Sequence, residues 1–218
     1  MPEPRRARFR TGLALAACLS AGSAAAHPHV FIDGGANPVF DAEGRITALH
    51  VTWIYDPFTS LYMAEELGLP SDPDTPLSAE ERASLARYQT EWTEGFEGDS
   101  YLTRDGTPVA LSGPLEADAE ISEGRVVIRF LRRVETPFRP APEAEIAVYD
   151  PSYYTAYAIT DAPEAEGNAA GCSLTLDPFE PTQDLAALQQ SLFDIPADED
   201  PDQDLGGLFA DRIEIRCD

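Results

Sequence analysis

Apolar and β-branched residues recur in short runs along most of the chain, and turn-forming residues separate the runs. The first run covers residues 29–40, and a second run around Trp53 covers residues 46–55. Both have the composition of β-strands. Residues 41–45 predict a three-residue hairpin loop built on a type I turn, with Gly44 in the left-handed conformation. We therefore expect an antiparallel strand pair at this point.

Residues 58–96 change to a helical pattern. A first helix is predicted over residues 58–67. Ser78 and Glu81 form a capping-box pattern, which predicts the start of a second helix. Apolar residues then follow at near-helical spacing, and we expect them to face the core rather than a ligand. These residues are Leu85, Tyr88, Trp92 and Phe96.

Strand patterns return after residue 96. Asp105-Gly106 is a strong hairpin signal between residues 100–104 and 107–111. A helix is predicted over residues 183–193. Further strands are predicted over residues 126–134, 145–149, 153–159, 172–176 and 213–216. The whole pattern predicts an α+β fold that is mainly antiparallel β and sandwich-like, with a helical insertion at about residues 58–96 and a helix near the C-terminus.

The first 26 residues have the pattern of an export signal, with arginines, a short apolar run and an Ala-x-Ala cleavage site. Cleavage after Ala26 leaves residues 27–218, which we expect to form a single domain in the periplasm. A lipoprotein anchored at Cys18 is the alternative. The apolar run is too short to span a bilayer, which requires roughly 20 residues. No later stretch is long or apolar enough to do so, and the processed protein is therefore not expected to be transmembrane.

The chain is strongly acidic and contains no lysine. Its formal net charge is −24, and removal of a leader with four arginines and one glutamate changes this to −27. Such a charge repels nucleic acids and anionic membrane surfaces, so we exclude both as partners, whereas cations are attracted. The alternative interpretation is a host whose exported proteins are all acidic for salt tolerance.

Two cysteines, Cys172 and Cys217, follow the cleavage site. An even pair in an oxidising compartment predicts a disulfide, and the chain-entropy model gives roughly 4 kcal/mol for a loop of this length. A pair of metal thiolates is the alternative, but no Cys-x-x-Cys spacing supports it.

The segment His27-Pro28-His29 holds two of the three histidines of the chain. After cleavage, His27 would supply an α-amine and an imidazole, and His29 would add a second imidazole. Such nitrogen donors suit Zn, Ni, Co or Cu(II). The square-planar copper or nickel chelate with a histidine at position three is excluded, because Pro28 has no amide N–H to lose. A polar N-terminus that binds nothing is the alternative.

Two carboxylates could complete such a site. On a strand, Asp33 shares a face with His27 and His29. The predicted hairpin brings His29 near Asp56. The same hairpin places His50 opposite Ala36, roughly 20 Å from His29 at about 3.3 Å per residue. His50 is therefore expected to be a hydrogen-bonded or buried strand residue rather than a ligand.

Several segments together resemble the exported family known as domain of unknown function 1007. They are the His-Pro-His start after Ala26, residues 40–45, residues 50–56, residues 149–154, Gly171-Cys172 and residues 206–217. The resemblance covers essentially the whole processed chain. It implies a periplasmic component of an ABC-type transport system, associated with divalent metals such as nickel, cobalt or zinc.

We therefore expect a non-enzymatic periplasmic accessory protein that binds a divalent metal through its N-terminal His-x-His and serves an inner-membrane metal transporter. A β-sandwich domain that docks on a membrane transporter without metal is the alternative. A copper-dependent redox enzyme is a third hypothesis. The chain has no phosphate-binding loop, nucleophile elbow or His-Glu-x-x-His motif.

Overall fold

The computed structural model describes residues 28–70, 75–193 and 204–218, which form two packed β-sheets and three α-helices. The strands are β1 Val30–Phe40, β2 Ile46–Tyr55, β3 Ser100–Arg104, β4 Thr107–Val109, β5 Leu115–Ser122, β6 Arg125–Phe138, β7 Glu143–Val148, β8 Thr155–Ile159, β9 Glu166–Gly167, β10 Cys172–Asp177 and β11 Asp211–Cys217. The helices are α1 Pro57–Glu66, α2 Ala79–Thr90 and α3 Gln183–Leu192.

One sheet has the order β5-β6-β2-β1-β8, with β9 also paired to β1, and the other has the order β10-β11-β7-β3-β4. Neighbouring strands are antiparallel except that β8 and β9 run parallel to β1. The core lies between the sheets, where Phe130 and Ile128 of the first sheet and Leu102, Ile146 and Ile213 of the second are buried. The predicted α+β, sandwich-like architecture is confirmed.

The first hairpin forms where the sequence predicts it. Asp41 Oδ1 accepts from the backbone N–H groups of Glu43 (3.0 Å) and Arg45 (2.9 Å), and Gly44 has a φ of 72°. The pairing shifts by one residue at a bulge between Val39 and Phe40. His50 consequently faces Asn37 rather than the predicted Ala36.

The two helices of the insertion begin at strong caps. Asp56 accepts from the N–H groups of Phe58 and Thr59 at the start of α1, and Ser78 and Glu81 form the predicted capping box of α2. No helix in the described ranges has the length and apolar character needed to cross a membrane.

The predicted aromatic stripe on the second helix was wrong in two respects. Helix α2 ends at Thr90, so Trp92 and Phe96 belong to the irregular segment that follows it. Tyr88 is on the helix but is 45% exposed, whereas Leu85 is fully buried. The error arose because aromatic residues at helical spacing continued past the residue at which the backbone leaves the helix.

Near the C-terminus, Cys172 and Cys217 form the expected disulfide and pair directly across β10 and β11. Helix α3 packs through Leu192 against Tyr153 and Phe209, in a small cluster separate from the main core. This cluster supports the segment that leads from β7 into β8, and that segment forms one wall of the site described next.

A candidate ligand cavity at the start of the first strand

A cavity of about 550 Å³ opens at the end of the two sheets where β1 and β8 begin and β2 and β7 end. Its volume lies in the range of ordinary small-molecule sites. Helices α1 and α2 form one side of it. Aromatic side chains dominate the lining, and these are Trp53, Tyr55, Phe58, Tyr62, Tyr88, Phe96, Tyr154 and Tyr157.

Asp99 is a buried carboxylate in the wall of this cavity, and only 4% of it is exposed. It follows Gly98, where a Cβ atom would lie 2.2 Å from the Trp92 ring, so that only glycine fits. Asp99 itself has a φ of 47°, in the left-handed region that few non-glycine residues adopt. Its Oδ2 accepts a hydrogen bond of 2.8 Å from the Tyr157 hydroxyl. Its Oδ1 has no hydrogen-bond partner among the described residues.

Burial raises the pKa of Asp99 to about 7. The hydrogen bond from Tyr157 and the charge of Arg132 oppose this rise, while the nearby charge of Asp150 adds to it. A carboxyl group in an apolar surrounding resists ionisation because its charge loses the solvation of water. Asp99 therefore changes charge near neutral pH, unlike an ordinary surface aspartate.

Two other polar side chains in the cavity, Tyr55 and Gln89, form hydrogen bonds within the protein. The Tyr55 hydroxyl donates to Gln89 Oε1 at 2.6 Å, and Gln89 Nε2 donates to Met63 Sδ at 3.1 Å, which ties α1 and α2 to the end of β2. Trp53 differs, because its Nε1 is buried and has no acceptor within the part of the chain that the structure describes. Asp99 Oδ1 and Trp53 Nε1 thus offer a buried acceptor and a buried donor that have no hydrogen-bond partner among the described residues.

His29 lies at the edge of the cavity, directly before β1. Its backbone N–H donates to Tyr154 O at 2.8 Å, and its ring centroid lies 4.6 Å from that of Tyr154. Asp150 also lines the cavity, but both of its carboxylate oxygens accept local hydrogen bonds, from Ser152 and from the Thr155 N–H. Among the predicted site residues that the structure describes, His29 is the one that lines the cavity.

The two carboxylates predicted to accompany His29 lie at the same end of the β1–β2 pair, yet both have structural partners. Asp33 Oδ2 accepts from Arg125 at 2.6 Å, and Arg125 also donates to the carbonyls of Tyr55 and Ile54. Asp56 caps α1 and also accepts from the Phe31 N–H. Partial burial raises the pKa of Asp56, but the hydrogen bonds from Thr59, Phe31 and Phe58 outweigh it and hold the pKa below its ordinary value.

His50 lies well along β2, where its Nδ1 is 2.5 Å from Glu166 Oε1. It has no part in the cavity. His27 and Cys18 lie outside the described residues. Within residues 28–70, 75–193 and 204–218, no group of three or more His, Cys, Asp or Glu side chains is placed to hold a metal ion.

The fold and the cavity together define a class of protein, which is an α+β sandwich-like domain with a ligand-sized aromatic cavity at one end of its sheets. The family model described as protein of unknown function (DUF1007) matches residues 12–217, and the chain belongs to this family. The resemblance seen in the sequence is therefore confirmed. A search of curated proteins finds no match to the chain.

Proposed function

We propose that this protein is an exported, non-catalytic accessory component of an inner-membrane transport system for divalent cations. It holds nickel, cobalt, zinc or copper at the His27-Pro28-His29 segment. The observation that carries the proposal is the placement of His29, whose backbone and ring both contact Tyr154 at the edge of the cavity. The high negative charge of the chain favours the approach of cations.

The contacts of the other candidate ligands support a donor set made of nitrogen atoms. Asp33 is ion-paired and Asp56 caps a helix, so neither is a free ligand. At the edge of the cavity the described residues supply the imidazole of His29, which does not make a metal site by itself. The proposal therefore requires the imidazole and the α-amine of His27, which lie outside the described residues.

Replacing His29 with alanine is expected to weaken the binding of Ni²⁺, Co²⁺, Zn²⁺ or Cu²⁺ at least tenfold, because the site loses one of only a few nitrogen donors. The measurement is calorimetric titration of the processed protein, whose N-terminus is first checked by mass spectrometry. His27→Ala should have a similar effect. His50→Ala is the matched control, since its imidazole contacts Glu166 far from the site.

Asp33→Asn tests in the same titration whether a carboxylate contributes to metal binding. Because Asp33 forms an ion pair with Arg125, the variant should bind the metal with unchanged affinity. Equal binding by the wild type and both N-terminal histidine variants, or no specific binding at all, contradicts the proposed metal site.

A second candidate function is docking on a membrane transporter without metal, and the surface of α1 favours it. Phe58, Leu61 and Tyr62 follow at helical spacing and are 79%, 61% and 57% exposed. Neighbouring apolar side chains of this exposure are typical of a protein interface.

If this surface docks, a photo-crosslinking residue at position 61 should capture an inner-membrane protein in intact cells, also when both N-terminal histidines are replaced by alanine. Position 107, exposed on β4, is the control. Equal yields at both positions, or no adduct at position 61, argue against docking through α1.

A further inference from the structure

The lining of the cavity has the electrostatic character of a cation site. The faces of aromatic rings carry negative potential and attract ammonium groups, most strongly when water is excluded. Trp53, Tyr62, Phe96 and Tyr157 all contribute to the walls, and no arginine is among the described lining residues. The chain contains no lysine. An anionic ligand would therefore meet the carboxylates of Asp99 and Asp150, whereas Arg132, whose charge acts on Asp99, is not among the described lining residues.

Asp99 adds a direct binding group to these walls. A buried carboxylate oxygen without a hydrogen bond costs free energy, and most such atoms in folded proteins have a partner. Asp99 Oδ1 has no such partner among the described residues, although only 4% of the residue is exposed. The backbone at the buried carboxylate is also unusual, because Gly98 and Asp99 both have a positive φ, of 75° and 47°. Such local strain is typical of binding sites.

The size of the cavity argues against a bare ion as its natural ligand. A metal ion requires several donor atoms that converge within about 2–2.5 Å, and the described lining provides no such group. A volume of about 550 Å³ instead accommodates an organic molecule. Its aromatic walls would contact an apolar body, and Asp99 Oδ1 would receive an N–H group.

We propose that this cavity is a binding site for a small organic amine, whose protonated nitrogen donates to Asp99 Oδ1 and whose apolar body packs against the aromatic walls. The buried Nε1–H of Trp53 offers a second contact to an acceptor on the ligand. The proposal uses none of the proposed metal-binding nitrogens and stands independently of the metal function.

The test uses 2-phenylethylamine as the probe and 2-phenylethanol as its neutral counterpart of nearly equal shape. Calorimetric titration of the full processed protein at pH 8 should show binding of the amine, and at least tenfold weaker binding of the alcohol. Asp99→Asn keeps the shape of the side chain and should weaken amine binding at least tenfold. Asp105→Asn is the matched control, because Asp105 has the same φ of 47° next to a glycine but is exposed on the β3–β4 hairpin.

Equal affinity for the amine and the alcohol overturns the proposal, and so does full retention of amine binding by a folded Asp99→Asn variant. Absence of binding by 2-phenylethylamine, tyramine and cyclohexylamine at millimolar concentration also overturns it. If the variant does not fold, chemical-shift mapping on the wild type decides the question. Amine-induced shifts must then centre on Gln89, Asp99 and Tyr157, and shifts centred elsewhere overturn the assignment.

Discussion

Replacing Cys172 and Cys217 together with alanine is expected to lower the free energy of unfolding by about 4 kcal/mol, the largest stability effect that we predict. The disulfide joins residues separated by 45 positions, so the unfolded chain gains the entropy of a long loop when the bond is absent. That loop contains α3 and the 3₁₀ turn Gly206–Phe209, which contribute Leu192 and Phe209 to the cluster with Tyr153.

Urea denaturation of the double variant and of the wild type, followed by circular dichroism, measures this difference. The wild type unfolded in the presence of a reductant serves as the control, because it loses the bond but keeps both side chains. The reduced wild type and the double variant should agree. A loss below about 1 kcal/mol would mean that the β10–β11 pairing, rather than the loop constraint of the disulfide, determines stability here.

The second large effect concerns Asp99 and pH. Its pKa is about 7 in the folded protein against an ordinary value of 3.8. Between these two values the folded state holds a proton that the unfolded state has released, so rising pH lowers stability through this window and has no further effect above it. The wild type should therefore lose roughly 2–3 kcal/mol of unfolding free energy between pH 5 and pH 8 through this residue alone.

Asp99→Asn removes this titration, so its stability relative to the wild type should improve by that amount as the pH rises from 5 to 8. The comparison is informative because the groups around Asp99, which are Tyr157, Asp150 and Arg132, are unchanged in the variant. Urea melts at several pH values measure it. Asp105→Asn on the exposed hairpin is the control, and a pH-independent difference between Asp99→Asn and the wild type would contradict the raised pKa of Asp99.

The sequence predicts much of the fold because several strands and the start of a helix have recognisable local sequence patterns. Alternating or β-branched runs and a glycine-containing loop specify β1 and β2, and Ser78 with Glu81 specifies the start of α2. Strand β5 is not predicted from the sequence, because it is rich in acidic and alanine residues and lacks an apolar run. Its sequence is Leu-Glu-Ala-Asp-Ala-Glu-Ile-Ser. It lies at the edge of a sheet and needs few buried residues.

The site is harder to predict, because its walls come from distant parts of the chain. Asp99 is one of many acidic residues, and only the fold surrounds it with Trp53 and Tyr157. The structural role of Asp56, however, is predictable from the local sequence. Asp56 precedes Pro57 and a helical pattern, and aspartate before proline at a helix start is a typical N-cap. That signal indicates a structural role for Asp56 beside the metal-binding role considered first.

The parallel pairing of β1 with β8 also constrains the order of folding. β1 pairs on one edge with β2, which follows it immediately in the chain. Its other edge pairs with β8, which begins at Thr155, about 125 residues after Val30. A nascent chain that emerges N-terminus first therefore carries an open strand edge through most of its synthesis, and such edges recruit other strands. Protection of that edge by a chaperone, or delayed folding until β8 has been synthesised, would follow from this one contact.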